Sequence, residues 1–357
     1  FRLPVFVVVG SNGKTTVKEM LAAILREHHG AANVLATAGN LNNAIGLPLT
    51  LLGLREEHAA AVIELGMNHP GETAELAAIA QPTVAVINNA QREHQEFMKS
   101  VDEVAAEHAA LVRALPGNGV AVLNRDDPHF DYWREIAGAR RVRDFGVRTD
   151  ATVRATVRSA GIATELDLVT DAGSIAVTLH APGLHNVSNA LAAAAAAAAA
   201  GATLDAVARG LAAFRPVKGR LQPKVGRNGI VVIDDTYNAN PDSVRAAIDV
   251  LAGSERPRVL VLGDMGEVGA QGEAFHEEVG RYAKECGIDR LIAVGKLARA
   301  AAREFGAGGE HLESIEAVIA RAQGLTVLKG TILVKGSRFM RMERVVEHLV
   351  AEASACC

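Results

Sequence analysis

The residues best suited to chemistry come early in the chain, in the run Gly10-Ser11-Asn12-Gly13-Lys14-Thr15-Thr16. Glycines let the backbone curl so that its N–H groups point inward at phosphate oxygens, and the N-terminus of a following helix adds partial positive charge. Lys14 supplies a point charge for β- and γ-phosphates, and Thr15 a hydroxyl for Mg²⁺. The longer phosphate-loop pattern has a further glycine where this chain has Val8, so only the short form is present. A glycine-rich turn that merely starts a helix is the ordinary alternative; the strand–loop–helix context favours a nucleotide site. No Asn-Lys-x-Asp string for reading guanine occurs, which argues against a GTP switch. Two further residues stand where α/β sheets collect ligands. Glu64 closes the apolar run Ala61-Val62-Ile63, and His94 follows the run Val84–Asn88. A carboxylate at a strand end suits Mg²⁺; a capping glutamate and a surface or core histidine are the plain readings.

These groups need elements to hold them. Val5-Phe6-Val7-Val8-Val9 reads as a fully buried strand, and Val17, Met20, Leu21, Ile24 and Leu25 fall on one face of a helix over 15–28. Short strands are predicted at 61–65, 84–88 and 119–123, separated by helical or glycine-rich stretches, which predicts a mostly parallel sheet covered on both faces. Period-two alternation between about 148 and 180 predicts a small antiparallel insert. Helices are expected over 186–200 and 204–214, followed by the linker Arg215-Pro216-Val217-Lys218-Gly219. Strand–helix alternation then resumes, with strands at 230–234, 259–263, 290–294 and 331–334. The intervening helices are expected over 243–251, 273–286, 297–305, 314–322 and 340–350.

Composition bounds the function. With 357 residues, 49% of them hydrophobic and 22% charged, the chain is globular and long enough for two domains. Its net charge of −4 argues against a broad nucleic-acid surface. The longest uncharged apolar run, Ala190 to Ala200, is shorter than the roughly 20 residues a membrane span needs. No signal peptide is expected from the opening residues. Cys286 stands alone, and Cys356 and Cys357 read as a frayed tail, so a reducing, cytoplasmic setting is expected. Arg140, Arg141 and Arg143 read as the water-facing charges of an edge strand.

Read in order, further segments join the phosphate loop. They are Thr37-Ala38-Gly39-Asn40-Leu41-Asn42-Asn43, Glu64-Leu65-Gly66-Met67-Asn68, residues 183–189, Lys218-Gly219-Arg220, residues 234–241, Gly263-Asp264-Met265-Gly266-Glu267 and Lys335-Gly336-Ser337-Arg338. In these the sequence resembles the Mur ligases, ATP-dependent amide-bond-forming enzymes of peptidoglycan synthesis whose family includes folylpolyglutamate synthetase. The resemblance implies an N-terminal UDP-binding domain, a central ATPase domain and a C-terminal Rossmann-like domain. The expectation is that this α/β chain supplies the last two, over 1–214 and 215–357, with the UDP-binding domain removed or provided elsewhere. ATP and Mg²⁺ are the implied cofactors. UDP-N-acetylmuramoyl-tripeptide and D-alanyl-D-alanine are the implied substrates, because the Asp-Asn-Pro-Arg string of the diaminopimelate- or lysine-adding relative is absent. Another Mur-type or folylpolyglutamate ligase, and a nucleotide-binding module without ligation, are the alternatives.

Carried over position by position, the resemblance makes Lys14, Glu64, His94 and Arg220 catalytic and Thr15, Glu64 and His94 metal ligands. Nucleotide contacts are implied for Gly10 to Thr16, for His185, Asn186 and Asn189 beside the adenine, for Arg220 at the phosphates and for Asp235 at the ribose. Asn186 also suits a helix cap, and Asn240 another. Substrate contacts are implied for Asn42, Asn43, Asn238, Asn240, Asp264, Lys335, Ser337 and Arg338; Glu267 and His276 are expected to line the same cleft. The chain departs from the family at one point. The family's carbamylated lysine falls at or near His108, and no lysine occurs between Lys99 and Lys218. A second metal ion would then be held differently, with Glu107 or His108, or more weakly.

Overall fold

Strand β1 (Val5–Val9) lies inside a nine-stranded sheet, and its side chains alternate between two cores. The computed structural model describes residues 1–324 and 329–350, with this sheet in the unit Phe1–Arg215 and a six-stranded sheet in the unit Pro216–Cys357. The first unit continues through α1 (Lys14–His29), β2 (Val34–Ala36), α2 (Gly46–Leu51), β3 (Ala60–Glu64), α3 (Glu72–Ala80), β4 (Val84–Ile87) and α4 (Val101–Arg113). There follow β5 (Val120–Asn124), α5 (Phe130–Ala137), β6 (Arg141–Gly146), β7 (Val153–Ser159), β8 (Thr164–Thr170), β9 (Gly173–Leu179), α6 (Leu184–Ala199) and α7 (Leu204–Ala213).

The strand order is β2-β3-β1-β4-β5-β6-β7-β8-β9, parallel as far as β7 and antiparallel from there to β9. Phe6 and Val8 join Val17, Leu21 and Ile24 of α1 and the alanines of α6; Val7 and Val9 join Leu76, Val104 and Leu111 from α3 and α4. A sheet covered on both faces needs such near-continuous apolar strands. The alanine run is buried from Ala192 to Ala197, where small side chains let α6 lie close to the sheet. Gly210 of α7 serves the same end, since a Cβ there would stand 2.5 Å from Ile24 Cα.

Because β1 sits between β3 and β4, the carboxyl ends of these three strands come side by side. The phosphate loop leaves β1, Glu64 ends β3 opposite Val8, and the segment from Asn88 leaves β4. The sheet order therefore assembles what the sequence spreads over 80 residues.

The second unit comprises β10 (Gln222–Val225), β11 (Val231–Asp235), α8 (Pro241–Ala252), β12 (Arg258–Gly263), α9 (Gly272–Glu285), β13 (Arg290–Val294), α10 (Ala298–Phe305), β14 (Gly309–Leu312), α11 (Ile315–Gln323), β15 (Thr331–Lys335) and α12 (Glu343–Leu349). Its order is β10-β11-β15-β12-β13-β14, parallel except for β10. Asn240 caps α8 in a reciprocal box with Ser243, and Pro241 takes the first helical position, where its missing N–H is harmless.

Several expectations change. The expected small antiparallel insert is β7 to β9, and it continues the first sheet beyond β6. Strand β6 is therefore interior, and its arginines are not simple water-facing charges: Arg143 pairs with Asp171, and Arg141 donates to the Ala199 carbonyl at 3.0 Å. Helix α6 starts at Leu184 with Gly183 as its cap, so Asn186 sits in the first turn and donates to the Pro182 carbonyl instead of capping. The last helix begins at Glu343, not 340, because Arg341 takes φ +51° after a short 3₁₀ turn. Strands β2, β10 and β14 are additional; each is only three or four residues long, too short for a periodic signal. Cys356 and Cys357 lie outside the described residues. Among the described residues, no helix is long and apolar enough to cross a membrane.

Candidate functional site

The phosphate loop is held from beneath by the segment leaving β4. Ser11 N–H donates to the Asn89 carbonyl at 3.1 Å, and Asn12 N–H to Asn89 Oδ1 at 2.9 Å. Asn12 Nδ2 donates to Gln91 Oε1 at 2.6 Å, and Asn88 Nδ2 to the Asn12 carbonyl at 2.8 Å. Gly13 is the N-cap of α1 at φ +84°, and a Cβ there would stand 2.3 Å from Asn189 Oδ1. Both the backbone angle and the space demand glycine. Thr15 and Thr16, in the first turn of α1, are buried. Asn88, Asn89 and Gln91 carry no motif of their own, and sequence reasoning passed over them.

Asn189 belongs to the same scaffold. Its Oδ1 accepts from Asn88 Nδ2 at 2.8 Å, and its Nδ2 donates to Asn186 Oδ1 at 3.1 Å. The buried amides of Asn186 and Asn189 thus tie α6 to the loop, while half-buried His185 sits at the start of the helix.

Lys14 lies against the loop that precedes it, its Nζ donating to the Gly10 carbonyl at 2.6 Å and to the Ser11 carbonyl at 3.4 Å. The third partner is Glu93, whose Oε2 is 3.4 Å away. Glu93 is buried, with His94 Nε2 at 3.7 Å from Oε2 and His108 Nε2 at 3.3 Å from Oε1. Burial alone would raise its carboxyl pKa. The Lys14 charge, with His108 and His94, outweighs that and pulls it down to about 2, so Glu93 is ionised. His94 itself takes φ +49°, a left-handed turn that ends the segment. The sequence reading named His94 and passed over Glu93 beside it, because nothing in their spacing sets Glu93 against a lysine 79 residues earlier.

Glu64 is fixed by the 37–43 segment. Its backbone N–H donates to Thr37 Oγ1 at 3.0 Å, and its Oε1 accepts from Asn42 Nδ2 at 2.9 Å. Its Oε2 is buried without a hydrogen-bond partner. A buried carboxylate oxygen left bare is a strong feature in a folded protein, and it suits a cation. Asn42 therefore positions Glu64, and Asn43 Oδ1 turns the chain into α2 by accepting from Gly46 N–H at 2.9 Å. Lys18, fully buried, donates to the Thr37 carbonyl at 2.8 Å and secures the same segment. Glu107, considered above for a second metal ion, instead accepts from Gly71 and Thr73 N–H at 2.8 and 2.7 Å at the start of α3. Among the described residues, no three His, Cys, Asp or Glu side chains already converge as a metal cage.

In the second unit the named residues bind mostly one another. Lys335 Nζ is 2.6 Å from Asp235 Oδ2 and donates to the Asn238 carbonyl at 2.9 Å, while Asp235 Oδ1 accepts from Leu221 N–H at 3.0 Å. Ser337 Oγ donates to the Ala239 carbonyl at 3.1 Å and accepts from Gly266 N–H at 2.7 Å. Asp264 accepts from the N–H groups of Lys296, Leu297 and Ala298, at 3.0, 3.0 and 2.7 Å, at the start of α10. His276 is fully buried; its Nε2 accepts from Met265 N–H at 3.0 Å, and burial lowers its pKa, so it is neutral. Arg220 stacks on the Tyr237 ring at 4.2 Å, and Asn238 and Arg338 are exposed.

Comparison with known proteins gives a consistent result. The family described as Mur ligase middle domain matches residues 8–197, and that described as Mur ligase, glutamate ligase domain, matches residues 219–338. The chain is 45% identical over 350 residues to the UDP-N-acetylmuramoyl-tripeptide–D-alanyl-D-alanine ligase of Escherichia coli strain K12, covering 97% of this chain and 76% of that protein. A crystal structure of MurF from Acinetobacter baumannii superposes with a TM-score of 0.91 at 37% identity, over 97% of this chain and 76% of that one. The MurF ligase of Thermotoga maritima in complex with ADP gives a TM-score of 0.85 at 27% identity, over 98% and 79% of the two chains.

Proposed function

The chain belongs to the Mur ligase family, and from that premise we propose the reaction it runs: ATP-dependent joining of D-alanyl-D-alanine to UDP-N-acetylmuramoyl-tripeptide in peptidoglycan precursor synthesis. The observation that carries this reading is near-full-length similarity to ligases of that name in a chain whose phosphate loop is intact.

In this reading the terminal carboxylate oxygen of the tripeptide attacks the γ-phosphorus of ATP. The bond from that phosphorus to the β–γ bridging oxygen breaks, and ADP leaves with the bond's electrons. The amine of D-alanyl-D-alanine then attacks the carbonyl carbon of the acyl phosphate. Collapse of the tetrahedral intermediate expels inorganic phosphate, the amine loses a proton and the amide remains. Phosphoryl transfer of this kind needs alignment and charge neutralisation more than covalent help from the protein. Lys14 turns from the Gly10 carbonyl to the β- and γ-phosphates, and the N-terminus of α1 adds its dipole. Rigid support from Asn88, Asn89 and Asn189 keeps the loop in register, so little reorganisation is needed when phosphate arrives.

Mg²⁺ would be held by Thr15, Glu64 and His94, and when bound it would neutralise phosphate charge. The bare Glu64 Oε2 is the feature that suits it. Asn42 keeps the other oxygen of Glu64 occupied and so sets the direction of the bare one. In the second unit, exposed Asn238 and Arg338, with half-buried Arg220 stacked on Tyr237, are the side chains proposed for nucleotide or peptide contacts.

Product mass spectrometry tests the reading. The whole chain is incubated with ATP, Mg²⁺, UDP-N-acetylmuramoyl-tripeptide and D-alanyl-D-alanine, and each component is omitted in turn. A pentapeptide product that requires all four is expected. ATP hydrolysis that neither peptide substrate stimulates, with no product, would mark a nucleotide-binding module instead.

A further inference from the structure

Glu93 has no part in the steps above, yet it is a buried charge 3.4 Å from Lys14 of the phosphate loop. Its carboxylate is 5% exposed. Lys14, His94 and His108 are the charged or titratable side chains against it, at 3.4, 3.7 and 3.3 Å. While Lys14 lies against Gly10 and Glu93, the two charges offset one another. Once Lys14 turns to phosphate, Glu93 stays where burial fixes it, about one ion-pair length from the position the ammonium occupied. It then adds a negative charge to a site receiving a polyanion.

We propose that Glu93 makes this loop select cation-loaded over cation-free nucleotide. Its fixed carboxylate repels bare triphosphate, and a divalent cation on the phosphates removes the repulsion. Glu93 is thus a specificity-determining residue, acting through charge and through Lys14 rather than by touching the reacting atoms. At a separation near 6 Å in a partly buried site, one such like-charge pair amounts to roughly a hundredfold in affinity. This inference rests on the reading of Lys14 as a phosphate ligand.

Titration calorimetry on the whole chain tests it, with ATP in excess chelator and with ATP in excess Mg²⁺, and with no peptide substrate present. Wild type should bind the Mg²⁺ complex at least about tenfold more tightly than bare ATP. In Glu93→Gln, binding of bare ATP should tighten by about tenfold or more, and the preference for the Mg²⁺ complex should narrow by the same factor, the remainder being what Glu64 and His94 contribute. Glu93→Ala, which removes the charge without introducing a buried amide, repeats the comparison should the glutamine variant fail to fold. A charge-free variant that keeps the wild-type preference overturns the inference, as does a wild type that binds both forms equally. A wild type that binds neither form overturns the nucleotide reading itself, a result distinct from either of these.

Discussion

The two units place polar side chains at the carboxyl ends of parallel strands in the same manner, but they treat them differently. In the first unit Glu64 keeps one buried oxygen bare, and His108 Nδ1 lacks a hydrogen-bond partner while its Nε2 stands 3.3 Å from Glu93 Oε1. In the second, Lys335 closes on Asp235, Asp264 is spent on α10, Ser337 bridges two backbone groups and His276 is bonded at both ring nitrogens. Buried polar atoms are normally paired, so a bare carboxylate oxygen at a strand end beside the phosphate loop suits a ligand that completes the set. By that criterion the first unit is built to receive and the second, at these residues, is built to hold itself together. Substitutions at the first site should remove activity more than stability, and at the second the reverse.

The largest expected effect is that of Lys14→Ala. Loss of this charge should lower turnover by about a thousandfold or more, a far larger effect than the loss of stability from leaving buried Glu93 with only His108 and His94 beside it. Steady-state kinetics with both peptide substrates measures it, and near-normal turnover would remove Lys14 from the mechanism. Lys335→Met should act in the opposite sense, leaving Asp235 as a buried carboxylate with only the Leu221 N–H, at about 3–5 kcal/mol of stability. Denaturant unfolding followed by a probe in the second unit reports this. A melt shifted by less than about 1 kcal/mol, with weakened substrate binding, would return Lys335 to a ligand role and break the contrast between the units.

Glu64→Gln sharpens the comparison within the first unit. The amide fills the same volume and keeps an oxygen for Asn42 but carries no charge for a cation, so turnover should fall by about a hundredfold while the fold persists. A titration of rate against Mg²⁺ concentration should show the midpoint moved upward. Asn240→Ala is the smallest test. Removing the α8 cap should cost about 1 kcal/mol of stability, read from the same unfolding curves, because the side chain is occupied in the box with Ser243.

Much of the architecture was legible because it rests on local physics. The buried valine run, the switch to helical periodicity after Lys14, the alanine helix and the Asn240-Pro241 helix start are each stated within a few neighbouring residues. Short strands such as β2 and β14 were not, since three or four residues carry no reliable period. The interior position of β6 was not legible either. Its alternating arginines look like an edge until β7 is seen to pair beside it, and only then do Arg143 and Asp171 meet.

The site divides along the same line. Sequence by itself determined the phosphate loop, the glutamate and the histidine at strand ends and the family they resemble, because chain-adjacent residues create those signals. Tertiary structure alone decided which of these groups stay available. Glu93 meets Lys14 because β4 pairs with β1, Asn189 supports Gly13 because α6 packs back across the sheet, and Asp264 is consumed because α10 begins beside it. Partner choice among buried polar groups is set by contacts across long stretches of chain, and residue types and spacing do not encode those contacts one at a time.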